Sequence, residues 1–220
     1  MFENSIRFAM LSNSDNLGST IDPVELAILA LSDAPAGFEF SLKTVMDIKG
    51  GVLIQKGKSG FACEDIGAGL PSSIISKAEN EGLPLLFNCA TGLFNLEYLT
   101  ANIDYIRNSL PIRISEQDKD AGRYAQAEQV TWEVIQLIEN PLIFLVDKFD
   151  RFLASKLLVE NLVTTGWADR FFDENSSQSS LALIADKLRK AFISKMKNDY
   201  KMKALSGKWQ PSGNTRMSGA

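Results

Sequence analysis

"KGGVLIQKGKSGFACEDIGAGLP", residues 49–71, sets the fold of the first half of the chain. It contains Gly57-Lys58-Ser59 after a run of glycines, so it must be tested as a phosphate-binding loop. That loop needs a glycine, four residues, then Gly-Lys-Ser/Thr. The first glycine would fall at position 52, which is Val52; Gly51 is one residue too early. A phosphate loop also runs from a buried strand straight into a helix, whose N-terminus meets the anion. Here Gly60-Phe61-Ala62-Cys63 follows, an apolar stretch that reads as a second strand. The sequence therefore predicts two short strands joined by a tight basic turn.

Outward from this hairpin, "DPVELAILALS" at 22–32 reads as a helix, with Asp22 as N-cap and Pro23 as first helical residue. "FEFSLKTVM" alternates: Phe38, Phe40, Leu42 and Met46 on one side, Glu39, Ser41 and Lys43 on the other. That is the pattern of a half-buried strand. A helix is expected over 71–81, a buried strand over 83–88, and a helix over 95–109 with Leu96, Leu99, Ile103 and Ile106 at helical spacing. Pro111 ends it and Ile112-Arg113-Ile114 returns to the sheet. Residues 1–114 are thus expected to form an α+β module around a small, antiparallel-rich sheet.

Beyond the polar segment 115–122, read as a linker, the sequence predicts helices. One covers 122–139, with Val130, Val134, Leu137 and Ile138 on one face. A second starts at Asn140-Pro141 and carries Leu142, Leu145, Val146, Phe149, Phe152, Leu153 and Leu157. A loop at 173–180 precedes a last helix from about 181 to 204. The expected organisation is an α+β module at 1–114, an all-helical module at 122–205 and a flexible basic tail at 206–220, or one continuous domain with the same elements.

The 220 residues include no histidine and two cysteines, Cys63 and Cys89. Ser–His and Cys–His pairs are excluded. Cys89, in "FNCATG", lacks an imidazole to activate it, and both cysteines read as small buried hydrophobes. Gly67 and Gly69 match the first two glycines of a dinucleotide loop, but the third position is Ser72 and the next strand ends at Asn88, not at an acid. The carboxylate pairs Glu64-Asp65, Asp147 with Asp150, and Asp173-Glu174 could serve Mg²⁺-dependent chemistry. Neighbouring residues of a strand, however, point to opposite faces. No apolar run approaches the roughly 20 residues of a bilayer span. The sequence points to a cytoplasmic protein.

Charge is unevenly distributed. Residues 183–220 hold nine Lys and Arg against Asp186 and Asp199, leaving 14 of the 23 basic and 25 of the 27 acidic residues in positions 1–182. Such a split marks an interaction segment. The last helix combines an apolar stripe (Leu181, Ile184, Leu188, Phe192, Met196) with a Lys-rich face, and Trp209 follows it. Lys187, Lys190, Phe192, Met196, Lys197, Lys201 and Trp209 are the expected partner-binding residues. No catalytic, metal or cofactor-binding residue is expected. The sequence reads as a non-enzymatic adaptor or assembly subunit that binds protein partners, such as a secretion-machine adaptor or chaperone, or a virion component. Two other readings stay open: a nucleic-acid-binding accessory protein using the basic C-terminal segment, and a carboxylate–metal phosphoesterase.

Overall fold

The computed structural model describes residues 6–44, 47–57, 60–119, 122–153 and 180–213. The chain divides into two compact units, one of residues 1–12 and 21–145, the other of residues 13–20 and 146–220.

In the first unit, α1 (Pro23–Ser32) starts as its sequence requires. Asp22 accepts hydrogen bonds from the amides of Val24 and Glu25, Pro23 sits in the first turn, and Asp33 closes the helix in the left-handed conformation. The strands are β1 (Phe8–Ser12), β2 (Ala36–Leu42), β3 (Gly51–Lys56), β4 (Gly60–Asp65), β5 (Leu86–Asn95) and β8 (Leu142–Leu145). Their order is β4-β3-β5-β2-β8, with β1 also on β5. All pairings are antiparallel except β2 with β8. Helices α2 (Ser72–Asn80) and α3 (Leu96–Ser109) flank β5 in sequence.

The core has two clusters. Phe38, Phe40, Cys63, Phe94, Ile106, Val134, Ile135 and Ile138 form the larger one, with Phe38 and Phe94 edge-to-face at 5.6 Å. Leu29, Ala34 and Leu93 form the smaller one, with Phe8, Met10, Leu142 and Phe144 against it. Each large apolar side chain so buried contributes about 1.5–3 kcal/mol of transfer free energy.

The expected hairpin is present: Lys56 pairs with Gly60 and Gly51 with Asp65, so a strand follows the turn where a phosphate loop would have a helix. Lys58 and Ser59 themselves lie outside the described residues. Strand β2 differs from expectation. Glu39 and Ser41, placed on a solvated face by their alternation, are buried to within 1%. Burial is continuous from Ala36 to Ser41, so both faces of β2 are covered, while β5 and β8 take its two edges.

The all-helical module is corrected. Residues 112–129 form a two-stranded ribbon, β6 (Ile112–Lys119) with β7 (Gly122–Gln129), in place of a linker and a helix. A 3-10 helix, Thr131–Leu137, follows, and it still buries Val134 as the apolar pattern required. "LIFL" at 142–145 is strand β8, not the start of a helix. Its partner β2 lies some hundred residues earlier, so nothing local in the sequence marks it.

In the second unit, the described elements are α4 (Lys148–Arg151), α5 (Ser180–Asn198), β9 (Met202–Leu205) and β10 (Lys208–Pro211). Leu157 and the 173–179 loop lie outside the described residues. The expected free tail at 206–220 is corrected in its described part: β9 and β10 form a hairpin whose two-residue turn, Ser206-Gly207, has both φ angles positive. This is the geometry that matches the twist of two antiparallel strands. Residues 214–220 lie outside the described residues.

A polar network holds this unit. Asn16 donates to the Arg151 carbonyl at 3.0 Å and accepts from the Leu153 amide at 2.9 Å. Arg151 donates to the Thr20 carbonyl at 2.7 Å and the Thr20 hydroxyl at 3.1 Å. Lys195, 4% exposed, pairs with Asp199 at 2.7 Å and with Asp150 at 3.5 Å. The Lys195 hydrogen bond comes first among the causes that hold the Asp199 carboxyl below its usual range.

A group with a depressed pKa stabilises the fold above its unfolded value of about 3.9 and loses that contribution as pH falls through the folded value. Amide exchange in α5 and around Thr20 is therefore expected to speed up as pH falls below about 4, after correction for intrinsic rates. Asp199→Asn should show the faster exchange already at neutral pH and little further change with acid.

Candidate functional site

The site is built around strand β5. One edge of β5 is taken by β2. Its other edge must therefore hold both β1 and β3, end to end. Ser12, the last residue of β1, lies opposite Thr91, and Val52 of β3 lies opposite Phe87. Between them, among the described residues, the ladders of β1 and β3 leave out positions 88–90. The sheet is split there.

The opposite edge is irregular at the same place. Phe38 pairs with Gly92 and Phe40 with Asn88, so Glu39 alone faces the bulged stretch 89–91. Ala90 takes a positive φ of 51°, uncommon for a residue with a Cβ. Asn88 holds it there: its Oδ1 accepts the Ala90 N–H at 2.8 Å, and its Nδ2 donates to Cys63 Sγ at 3.6 Å. Bulges are over-represented next to functional sites because they interrupt pairing and re-aim side chains.

The start of β3 is fitted into this arrangement. A Cβ at Gly51 would stand 2.3 Å from Cys63 Sγ and 3.6 Å from the Asn88 Cβ, and one at Gly50 would stand 2.6 Å from the Phe87 ring. Gly50 also has φ of 128°. The two glycines after Lys49 thus allow close packing against β4 and β5. Asp47 closes the preceding turn, accepting from the Thr44 amide at 2.7 Å and its hydroxyl at 2.8 Å.

The split is polar. Glu39, Ser41, Asn88 and Thr91 are all buried at the centre of the sheet. Ser41 Oγ has no hydrogen-bond partner among the described residues. Taking a carboxylate such as Glu39 out of water costs several kcal/mol before any compensation. A sheet centre built only for stability would carry apolar residues at these positions.

Beside it lies a charged rim. Arg113 Nε donates to Glu133 at 2.9 Å, with Glu64 at 3.9 Å from the same guanidinium and 3.8 Å from Lys56. Burial, then the charges of Glu133, Glu128 and Glu64, raise the Asp65 pKa, with Arg113 opposing. Burial, then Asp65, pushes the Cys63 thiol up to about 12, although the Asn88 hydrogen bond acts the other way. Cys63 is therefore a neutral thiol at physiological pH. Cys89 is buried as well, and neither cysteine is in a disulfide. Among the described residues no group of three or more Cys, Asp or Glu is arranged to hold a metal ion.

The residues singled out from sequence lie elsewhere. Lys187, Lys190, Phe192, Met196 and Lys197 are on α5, Lys201 follows it, and Trp209 is on β10 opposite Ala204. Lys187 lies over the Phe149 ring at 5.5 Å and Lys190 pairs with Asp186 at 2.7 Å. Phe192, Met196 and Trp209 are half-buried; Lys197 and Lys201 are exposed. The carboxylates divide likewise: Asp147 caps α4 by accepting the Phe149 amide, and Asp150 meets Lys195. Asp173 and Glu174 lie outside the described residues. Gly67 and Gly69 belong to the turn before α2, with Pro71 at its N-cap. Sequence reading missed Glu39 and Asn88. The available signal was an acid in the middle of an otherwise apolar strand, "GFEFSL".

Residues 1–204 match the family model described as UTP–glucose-1-phosphate uridylyltransferase. No curated protein matches the chain. Among solved structures, UDP-glucose phosphorylase from Trypanosoma brucei is similar at 24% identity with a TM-score of 0.62, over 74% of this chain and 36% of that one. UDP-glucose pyrophosphorylase from Leishmania major, known in open and closed forms, is similar at 22% identity with a TM-score of 0.60, over 74% and 37%. The chain spans little more than a third of the length of these structures. The likeness to them is one of fold. The family match overturns the expectation of a non-enzymatic adaptor, secretion chaperone or virion component, since it is a match to a family of enzymes. Histidine was the wrong residue to decide on: its absence excludes only the chemistries that need an imidazole.

Two outcomes test this geometry. Gly51→Ala should lower stability by about 1–3 kcal/mol in urea unfolding, the usual cost of overpacking, and Cys63→Ala should recover part of it. Asp65 has a raised pKa, so its contribution is fully present below about pH 3.9 and is lost as pH rises through the folded value. Asp65→Asn should therefore raise the urea midpoint at pH 7 and leave it nearly unchanged at pH 3.

Proposed function

The chain belongs to the UTP–glucose-1-phosphate uridylyltransferase family, and we propose that its sheet supplies the sugar-facing part of a site that takes UDP-glucose. In the family's named reaction, a phosphate oxygen of glucose 1-phosphate attacks the α-phosphorus of UTP. The bond to the departing pyrophosphate breaks and UDP-glucose forms; the reverse is pyrophosphorolysis. Phosphoryl-transfer chemistry of this kind depends on positioning and on charge stabilisation, and asks little covalent work of the protein. It needs no histidine.

The observation that carries the reading is the split in the sheet at Asn88–Ala90, with Glu39 facing the bulge from β2. The ladder is interrupted there on one edge, where Asn88 Oδ1 takes the Ala90 N–H and the Cys89 carbonyl accepts the Thr91 hydroxyl, and the polar side chains of Glu39, Ser41 and Asn88 gathered at the interruption suit a ligand rich in hydroxyls. Charge decides which end of the nucleotide sugar belongs at the split. Glu39 is a buried carboxylate that accepts hydrogen bonds from hydroxyl groups and repels phosphates. The glucosyl group fits beside it, and the phosphates must lie where cations are.

Calorimetric titration with UDP-glucose tests the proposal. Saturable binding is expected, weakened at least tenfold by Glu39→Gln with circular dichroism unchanged. A chain that binds neither UDP-glucose nor UTP under these conditions would show that the reading is wrong.

A further inference from the structure

We propose that Ser41 is a specificity-determining residue for the sugar end of the ligand: its hydroxyl donates to the same glucosyl hydroxyl that donates to Glu39. This role rests on the UDP-glucose reading of the split in the sheet and adds which chemical group the split selects.

Ser41 is fully buried, and its Oγ has no hydrogen-bond partner among the described residues. Buried polar groups are nearly always hydrogen-bonded, and an exception calls for a reason. The strand itself supplies none. Ser41 lies opposite Phe87 in the β2–β5 ladder, and an alanine would keep that ladder without stranding a hydroxyl.

The position on β2 aims the side chain. Strand β2 runs in unbroken parallel register with β8 from Gly37 to Phe40, so its side chains alternate regularly. Phe38 and Phe40 go to the larger core cluster, which puts Glu39 and Ser41 together on the other face. Residues two apart on a strand have Cα atoms about 6.6 Å from one another. With O–H···O bonds of about 2.7 Å each, that gap is one that a single hydroxyl oxygen bridges.

Donor and acceptor chemistry decides what fits there. An ionised carboxylate only accepts, whereas a serine hydroxyl has a proton to donate. The group between them must donate to Glu39 and accept from Ser41. A phosphate oxygen serves Ser41 but is repelled by Glu39. An ammonium serves Glu39 but cannot accept from Ser41. An alcohol does both with one atom, and a glucosyl group presents alcohols where the rest of the diphosphate end presents none. In the free protein the Ser41 hydroxyl has no internal bond to lose, so removing it acts on binding and not on stability.

Calorimetric titration of the whole chain with UDP-glucose, and with UDP, which lacks only the glucosyl group, tests this. Ser41→Ala should weaken UDP-glucose binding about fivefold, the size of one neutral hydrogen bond. It should leave the affinity for UDP as in the wild type, and the urea midpoint equal or higher. In the Glu39→Gln/Ser41→Ala double variant the loss should be smaller than the product of the two single losses, since both side chains hold one hydroxyl. Wild-type affinity of Ser41→Ala for UDP-glucose would overturn the role of Ser41 and leave the UDP-glucose reading standing; a buried water would then be the partner of the hydroxyl. Equal weakening for UDP-glucose and UDP, or a lowered urea midpoint, would overturn it in favour of a structural serine. Single losses that multiply in the double variant would overturn the shared hydroxyl. A wild type that does not bind UDP-glucose would remove the reading and the role of Ser41 together.

Discussion

The side chain of Asn88 fixes the part of the structure on which the rest of the first unit depends. One amide oxygen holds the Ala90 N–H and the amide nitrogen reaches Cys63. With Ala90 in the left-handed region, β5 cannot continue as a regular strand. Its two halves are offset, β1 serves one and β3 the other, and Glu39 of β2 faces the interruption. Strain of this kind, of order 1–3 kcal/mol per residue, persists only where the surroundings over-determine it. Here they do so through Cys63, Gly51 and the ladders on either side.

The second unit is held by different means. Its described residues join through Asn16, Arg151, Thr20 and Lys195, buried or half-buried, and the exposed Asp199. Gly18 belongs to the same construction: a Cβ there would lie 2.7 Å from the Arg151 carbonyl carbon. Lys195 is buried while Asp199 is exposed, so in this pair the ammonium loses most of its water and the carboxylate keeps much of its own, and desolvation of Lys195 offsets part of the attraction. Breaking it is costly all the same, and that asymmetry fixes one arrangement of the 13–20 segment against the 150s.

The adaptor reading went wrong by treating chemistry as a matter of nucleophiles and bases. Without histidine, with two buried thiols and with no metal cluster legible in the sequence, nothing in the chain looked catalytic. The reaction named for the family asks for no nucleophile or imidazole base from the protein, because both substrates carry their own reactive groups. The residues that hold a substrate are hydroxyls, amides, carboxylates and backbone groups, the same types that satisfy any polar interior. They carry no spacing signature, so Glu39 and Asn88 were invisible as a pair: forty-eight positions separate them and only the β2–β5 register brings them together.

What the sequence determined by itself is local. The cap and first turn of α1, the helical spacing of α3 and the β3–β4 hairpin depend on neighbours within a few residues, and all three are found where Asp22-Pro23, Leu96–Ile106 and the glycines of 50–60 place them. Buried apolar positions such as Val134 and Ile138 were legible as well, although their period was mistaken for that of an α-helix. Tertiary structure decided the rest. "LIFL" is a strand because β2 lies parallel to it, and the polar residues of 112–129 pair across a ribbon that shows no apolar alternation to announce it. Glu39 is buried because both faces of β2 are covered, which its alternation of apolar and polar residues does not announce. Periodicity reports which residues avoid water, but which strand lies beside which is set by contacts across the whole chain, and the split in β5 is made entirely of those.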